Sequence, residues 1–240
     1  RRWIQAGAHW KNHWSFTPPS RPEAPPVSDP NWTRNSIDHF VLARLDEKGW
    51  KPSPQTAPAT LLRRLALDLT GLPPSQKQIQ RFENAPTDKI YEELVDEILA
   101  SPQYGERMAM AWLDAARYAD TDGFQIDETR TNWPWRDWVI DAYNDNMPFD
   151  QFTLEQFAGD LLPDATESQQ LATSFHRNHM TNGEGGRDPE ESRVDYVIDR
   201  VNTVGTVWLG LTLGCCQCHS HKYDPITQSE YYALTTDRKS

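Results

Sequence analysis

Residues 188–211, DPEESRVDYVIDRVNTVGTVWLGL, read as one long amphipathic helix. Asp188 is placed to cap it, Pro189 suits the first helical position and Glu191 stands at the third. Val194, Val197, Val201, Val204, Trp208 and Leu211 then recur at spacings of three and four, which makes a buried helical seam. A chain that holds such a helix needs other helices to cover it.

Those partners are legible upstream. NSIDHFVLARLDEKG has a cap at Asn35 or Ser36, apolar residues at Ile37, Phe40, Val41 and Leu45, and a stop at Gly49. TLLRRLALDLTGLPP stops at Gly71 and two prolines. Thr87 caps a helix that carries Ile90, Leu94, Val95, Ile98 and Leu99. Further helices are expected over Tyr104 to about Tyr118, around Trp135, Trp138, Val139 and Tyr143, and from Thr153 through Phe157 and Leu161. SQQLATSFHRNHM is expected to be helical from Ser168, with Ala172, His176 and either His179 or Met180 on one face. Thr227 and Glu230 form a capping box before Tyr231 and Tyr232. No stretch alternates as a strand would. The expected class is mainly α: a compact multi-helix domain with irregular loops and a long proline-rich N-terminal arm over 13–34.

Composition narrows the function. The 240 residues carry a formal charge of −11, which argues against nucleic acid as a partner. Ten tryptophans supply large buried areas for a core. No apolar run is long enough to cross a bilayer, and no signal peptide is visible. The opening RRWIQAGAHW lacks an initiator Met and reads as a helix interior, as in a fragment or processed product whose export signal would lie upstream.

All three cysteines fall just after the long helix, in GCCQCHSHKYDP, 214–225. They are too close together to staple distant segments. Cys215, Cys218 and His219 fit C-x-x-C-H, the attachment pattern of haem c. Two thiols three positions apart can add to the two vinyl groups on one porphyrin edge, and the next residue places an imidazole under the iron. Cys216 is then a spare thiol. His221 is too near His219 to reach the other face and is assigned to a propionate contact or to packing. The distal ligand is expected from His176, His179 or Met180, unless the sixth position stays open. Three alternatives stand beside this one. Cys215, Cys218, His219 and His221 also read as a structural zinc or copper site, although four ligands on one short loop rarely close a tetrahedron. A thioredoxin-like C-x-x-C wants a strand before it, and here a helix precedes. Inert buried thiols are the last.

Two other polar clusters invite attention. DTDGFQIDE gathers Asp120, Asp122, Asp127 and Glu128 around a glycine, a composition that suits calcium without the full EF-hand spacing. A solvated acidic loop is the plainer reading. In TNGEGGRDPEES, Glu184 is a candidate acid/base if buried near a haem, and a tight turn plus a helix cap is the plainer reading. Arg117, Arg193 and Arg200 are available to pair with propionates or with the many acids.

HWSFTPP, NSIDHFVLARL, LLRRLALDLTGLPP, SPQYGERMAMAWLDAARYADTDG, WPWRDWVIDAYNDNMPFDQFT, EQFAGDLLP, FHRNHMTNGEGG, DRVNTVGTVWLGLTLGCCQCHSHKYDPIT and EYYAL occur in order over residues 13–234. Together they resemble the second cytochrome-type domain of the planctomycete-specific cytochrome proteins. The resemblance implies residues 1–12 as the tail of a preceding cytochrome-c-like domain and 35–240 as the helical domain, truncated at its C-terminus. Ser220 departs from the acidic residue usual there, and TTDRKS departs from the aromatic continuation usual at the end. The resemblance also implies an exported multidomain protein, periplasmic or at the cell surface, whose partners are its own cytochrome-type domains or a redox protein. The expected function is electron transfer by one covalent haem c. A haem- or metal-dependent redox enzyme acting on a carbohydrate or peroxide-like substrate, and a structural zinc or copper module, are the alternatives.

Overall fold

The computed structural model describes residues 1–8 and 13–235, so the sequence expectations that fall on 9–12 and 236–240 lie outside the described residues. Among the described residues there are eleven α-helices joined by 3₁₀ turns and no strand beyond one isolated bridge. The mainly α expectation is met. No described helix is long and apolar enough to cross a membrane.

The chain divides into two compact units, with the second beginning at Ala57. In the first, a single turn α1 (Arg2–Gln5) precedes the extended proline-rich segment and α2 (Ser36–Glu47). Asn35 caps α2: its side chain accepts from the Ile37 and Asp38 amides, and Asp38 reciprocates. The proline-rich segment is tied to this helix at two points. Ser28 donates through its amide and hydroxyl to the Asp46 carboxylate at 2.9 and 2.7 Å, and the ring of His39 bridges the Pro25 carbonyl and Thr33. The Ser28 bonds hold the Asp46 carboxyl below its ordinary range.

The second unit opens with α3 (Pro58–Thr70), α4 (Gln76–Asn84) and α5 (Asp88–Leu99), which share a core of Leu62, Ala66, Phe82, Leu94 and Ile98. Gly71, at φ 71°, ends α3 in the left-handed conformation that glycine adopts without a Cβ penalty. The central core lies between α6 (Pro102–Ala115), α7 (Trp133–Asn144), α8 (Phe149–Ala158) and α9 (Glu167–Ala172). It is aromatic, as the tryptophan count suggests. Trp138 stacks on Phe152, and Trp208 of α10 (Pro189–Leu209) meets Trp112, Phe157 and Phe175 edge-on at 4.6–5.0 Å. Such pairs add about 0.5–1.5 kcal/mol each beyond area burial. Two indole N–H groups are satisfied across helices: Trp112 donates to Gln156, and Trp208 to Thr153.

The decisive helix α10 forms as its sequence dictates. Asp188 accepts from the Glu190 and Glu191 amides, Pro189 opens the helix, and Gly210 closes it at φ 62°. Its apolar seam serves two cores, because Val204 and Trp208 join the aromatic cluster while Val201 packs with Leu213, Cys216 and Tyr231. Val194 is exposed. The last helix, α11 (Gln228–Thr235), has the expected reciprocal Thr227–Glu230 cap.

Two expectations are corrected. α8 begins at Phe149 rather than Thr153, with Pro148 as its N-cap. The helix expected from Ser168 to Met180 breaks after Ala172 into a 3₁₀ turn, Thr173–Arg177, so His179 and Met180 lie beyond it and share no helical face with His176. The stretch after this turn is held from outside the segment: the Arg130 guanidinium takes the carbonyls of Arg177, Asn178 and His179, which the last turn of a helix would have left without intrahelical partners.

Candidate functional site

After α10 the chain turns through a 3₁₀ segment, Leu213–Gln217, which carries the first two cysteines. Leu213 seats this turn against Gly205, where any Cβ would overlap the leucine side chain. The thiols are sorted. Cys216 has 0% exposure, packs with Val201, Leu213 and Tyr231, and points its Sγ at the Ile226 carbonyl, 3.8 Å away. Cys215 and Cys218 are exposed and free. His219 is exposed as well, and its Nδ1 lies 2.8 Å from the Ser220 carbonyl oxygen. A carbonyl can only accept, so Nδ1 carries the proton and the lone pair is on Nε2. A backbone carbonyl on the far nitrogen is also how metal-bound imidazoles are usually held.

His221 has a different task. Its Nδ1 accepts the amides of Asp224 at 2.8 Å and Tyr223 at 3.3 Å, which closes the following turn. Helix α11 clamps the cluster from the other side, since Tyr232 and Gln228 both donate to the Gln217 carbonyl. The three residues of the haem pattern thus present two thiols and one Nε2 on a braced surface turn. Their chemistry fits thioether attachment and axial ligation.

The expected distal ligands are placed otherwise. His179 has both ring nitrogens engaged: Nδ1 is 2.9 Å from the Met180 carbonyl, and Nε2 is 3.2 Å from Nη2 of Arg200. His176 packs edge-on against Phe157 and Phe175. Met180 is 55% exposed and lies over Gly123, where a Cβ would come 3.2 Å from its Cγ. Among the described residues, no three His, Cys, Asp or Glu side chains converge as a metal site.

The acidic loop is a small closed ribbon. Thr121 bridges Thr129, the Arg130 amide donates to the Asp120 backbone carbonyl, and the Asp122 amide donates to the Glu128 backbone carbonyl. Its carboxylates serve separate partners. Asp120 accepts from the Tyr118 hydroxyl, while Asp127 accepts from the Gly123 amide and, with the Thr121 side chain, is held below its ordinary range. Glu184 is exposed and accepts from Gln125 at 2.8 Å, in a turn that Asn182 closes on the Glu184 amide.

This ribbon forms one wall of a cavity of about 340 Å³. Arg130, Arg177, Arg200, His179, Tyr196 and Asp122 line it. Among the described residues none of the three arginines forms an ion pair; Asp199, beside Arg200 in sequence, is taken by Arg117. The ring of His179 stacks on Tyr196 at 4.3 Å and 18°. Burial pushes the His179 imidazole below its ordinary value of 6.5, and burial together with the Arg177 charge lowers Arg200. Sequence reasoning singles out Arg200, His179 and, as a calcium candidate, Asp122 here. Arg130 and Arg177 carry no local signal, since segments distant along the chain bring them together.

No curated protein matches the chain, and no solved structure does. Its sequence does match, over residues 36–237, the family PSCyt2, a protein of unknown function (DUF1549). That span covers most of the chain, which therefore belongs to PSCyt2, a planctomycete cytochrome-associated domain family.

Proposed function

We propose that this domain is a c-type cytochrome module that binds one haem through Cys215 and Cys218, with His219 as the axial base. One observation carries the reading: the thiols are sorted, the two of the motif outward beside a free Nε2 and the spare one inward to the core. Attachment needs both outward thiols. Cys215 and Cys218 would hold the haem by thioether bonds, each S–H adding across one vinyl group with sulfur on one carbon and hydrogen on the other and no leaving group. The haem, once bound, supplies a one-electron iron couple. The protein supplies position: α11 braces the turn, Ser220 fixes the tautomer of His219, and the Cys216 core anchors the segment. His179 is not assigned as the distal ligand, because Arg200 already engages its Nε2. Thioether attachment takes place outside the cytoplasm, so the reading carries an exported location, and electrons pass to neighbouring cytochrome-type domains or a redox partner.

The test is expression with a c-type haem maturation system, followed by intact mass and reduced-minus-oxidised spectra. A covalent porphyrin lost in Cys215→Ser/Cys218→Ser supports the reading. A chain that emerges without porphyrin overturns it, and zinc found by elemental analysis would select the structural metal module instead. A second reading is a haem-dependent redox enzyme whose iron keeps its sixth position open, since Arg200 already engages the expected distal ligand His179. Carbon monoxide or cyanide binding by the haem-loaded protein selects it over pure electron transfer.

A further inference from the structure

We propose that the cavity beside His179 binds an oxyanion carried on a small organic molecule: a carboxylate, phosphate or sulfate ester. The charge distribution is the first ground. The chain is acidic, with 35 Asp and Glu against 24 Lys and Arg, yet this cavity wall holds three guanidinium groups and one carboxylate. None of the three arginines has an ion pair among the described residues, in a molecule with carboxylates to spare. Gathering like charges without a counter-ion is costly, and a bound anion reverses the cost.

The second ground is preorganisation. Neutral carbonyls hold Arg130: Nε bonds Ala119 at 3.2 Å, Nη1 bonds Arg177 and His179 at 3.2 and 2.7 Å, and Nη2 bonds Asn178 at 3.4 Å. These contacts use four of its five N–H groups, so Arg130 is fixed in place and offers the cavity its uncompensated charge and one remaining N–H, leaving paired contacts to Arg177 and Arg200. Arg200 is held through Nη2 by the His179 ring, which in turn is held by the Met180 carbonyl and the Tyr196 stack. The Nε of Arg200 is buried without a hydrogen-bond partner. A donor in that state is costly, and it shows that the protein does not fully pair the Arg200 guanidinium. Tyr196 accepts the Asn182 amide through its hydroxyl, so its own proton remains to be donated. Fixed arginine forks are suited to the paired oxygens of carboxylates, phosphates and sulfates.

Size selects the class further. About 340 Å³ is at the lower end for small-molecule sites and exceeds what a bare ion fills. The Tyr196–His179 stack offers an apolar wall for the neutral part of such a ligand. The charge of −11 on the whole chain argues against nucleic acid as the source of the oxyanion. The inference stands apart from the haem reading, since neither Cys215, Cys218 nor His219 lines this cavity.

Titration calorimetry on the full chain, at constant ionic strength, tests it with inorganic phosphate, inorganic sulfate, glucuronate, glucose 6-phosphate and uncharged glucose. Saturable binding of at least one anion is expected, tightest for those carried on a sugar, with none for glucose. Preference between glucuronate and glucose 6-phosphate identifies the oxyanion. Arg177 is exposed, and no side-chain hydrogen bond depends on it among the described contacts, so Arg177→Gln keeps the fold and should weaken binding about tenfold. Arg200→Gln should abolish it, with circular dichroism checking that the helices persist. No saturation by any anion up to roughly 10 mM overturns the proposal. So does binding that falls less than threefold in Arg177→Gln.

Discussion

Arg200 and His179 form a fixed pair, with Nη2 of the guanidinium 3.2 Å from Nε2 of the imidazole and the opposite ring nitrogen 2.9 Å from the Met180 carbonyl. The histidine is therefore neutral in the folded state. A proton on Nε2 would face a cation and lose the acceptor that orients it.

This pair predicts an acid-sensitive step in stability. Burial lowers the folded pKa of His179 below its ordinary 6.5, so the unfolded chain takes up that proton at higher pH than the folded one. The contribution is complete above about pH 6.5 and is lost as pH falls through the lower folded value. Asp46, Asp127, Glu190 and Glu230, all held low by hydrogen bonds, lose their contributions only in the carboxylate range beneath that. Urea unfolding from pH 7.5 to 5 should show a decline that flattens in His179→Gln, whose amide oxygen can still accept from Arg200. Equal slopes in the two proteins would remove the pair from the account.

Tyr118 predicts the alkaline counterpart. Burial, then its 2.5 Å bond to Asp120 and that residue's charge, push the phenol up to about 12. Its folded value lies above the unfolded one, so the stabilisation is present below about pH 10 and disappears as pH rises through 12. Ultraviolet titration should find fewer phenolates near pH 11 in wild type than the count of tyrosines gives, with Tyr118 the last to ionise, since burial raises Tyr143 and Tyr231 as well. Asp120→Asn should move that late step earlier, because the charge is removed.

Helix α6 packs tightly against helix α7 at Gly105. Its amide donates to Asn144 at 2.7 Å, and a Cβ there would stand 2.5 Å from the Asn144 Cγ and closer still to the Ile140 carbonyl oxygen. A backbone carbonyl cannot rotate away as a side chain can. Gly105→Ala should cost about 2 kcal/mol or more even though alanine is the better helix former. Gly185→Ala, where nothing lies within 4 Å, is the control and should leave chemical unfolding unchanged.

The legibility of this chain follows the range of its interactions. Helices α2, α10 and α11 are capped by residues within three positions, Asn35 with Asp38, Asp188 with Glu191, and Thr227 with Glu230, so their starts can be read directly. α4 carries the same device in Ser75 and Gln78, a signal that hydrophobic periodicity alone passes over. The path of the chain after Arg177 has no local signal, because the Arg130 guanidinium arrives from the acidic ribbon and captures three of its carbonyls. The same tertiary event assembles the arginine cavity. The haem pattern is contiguous and visible at once, whereas the cavity has no contiguous pattern to find.

The three thiols make the sharpest prediction, because sequence alone ranks them only by motif. Cys216 is buried against Val201, Leu213 and Tyr231, so Cys216→Ser places a hydroxyl among apolar neighbours and should cost about 1–3 kcal/mol. Cys215→Ser and Cys218→Ser lie on the surface and should change stability by less than about 0.5 kcal/mol. Reactivity follows the same order. A thiol reagent applied to the native, porphyrin-free chain should modify two cysteines quickly and the third only on unfolding, with peptide mass spectrometry naming Cys216 as the slow one. In protein carrying covalent haem the two fast thiols should be blocked, while Cys216 remains the single thiol released by denaturant. If Cys216 reacted in the native state as fast as its neighbours, the turn would not be seated on the third core. The outward sorting that carries the haem reading would then be lost with it.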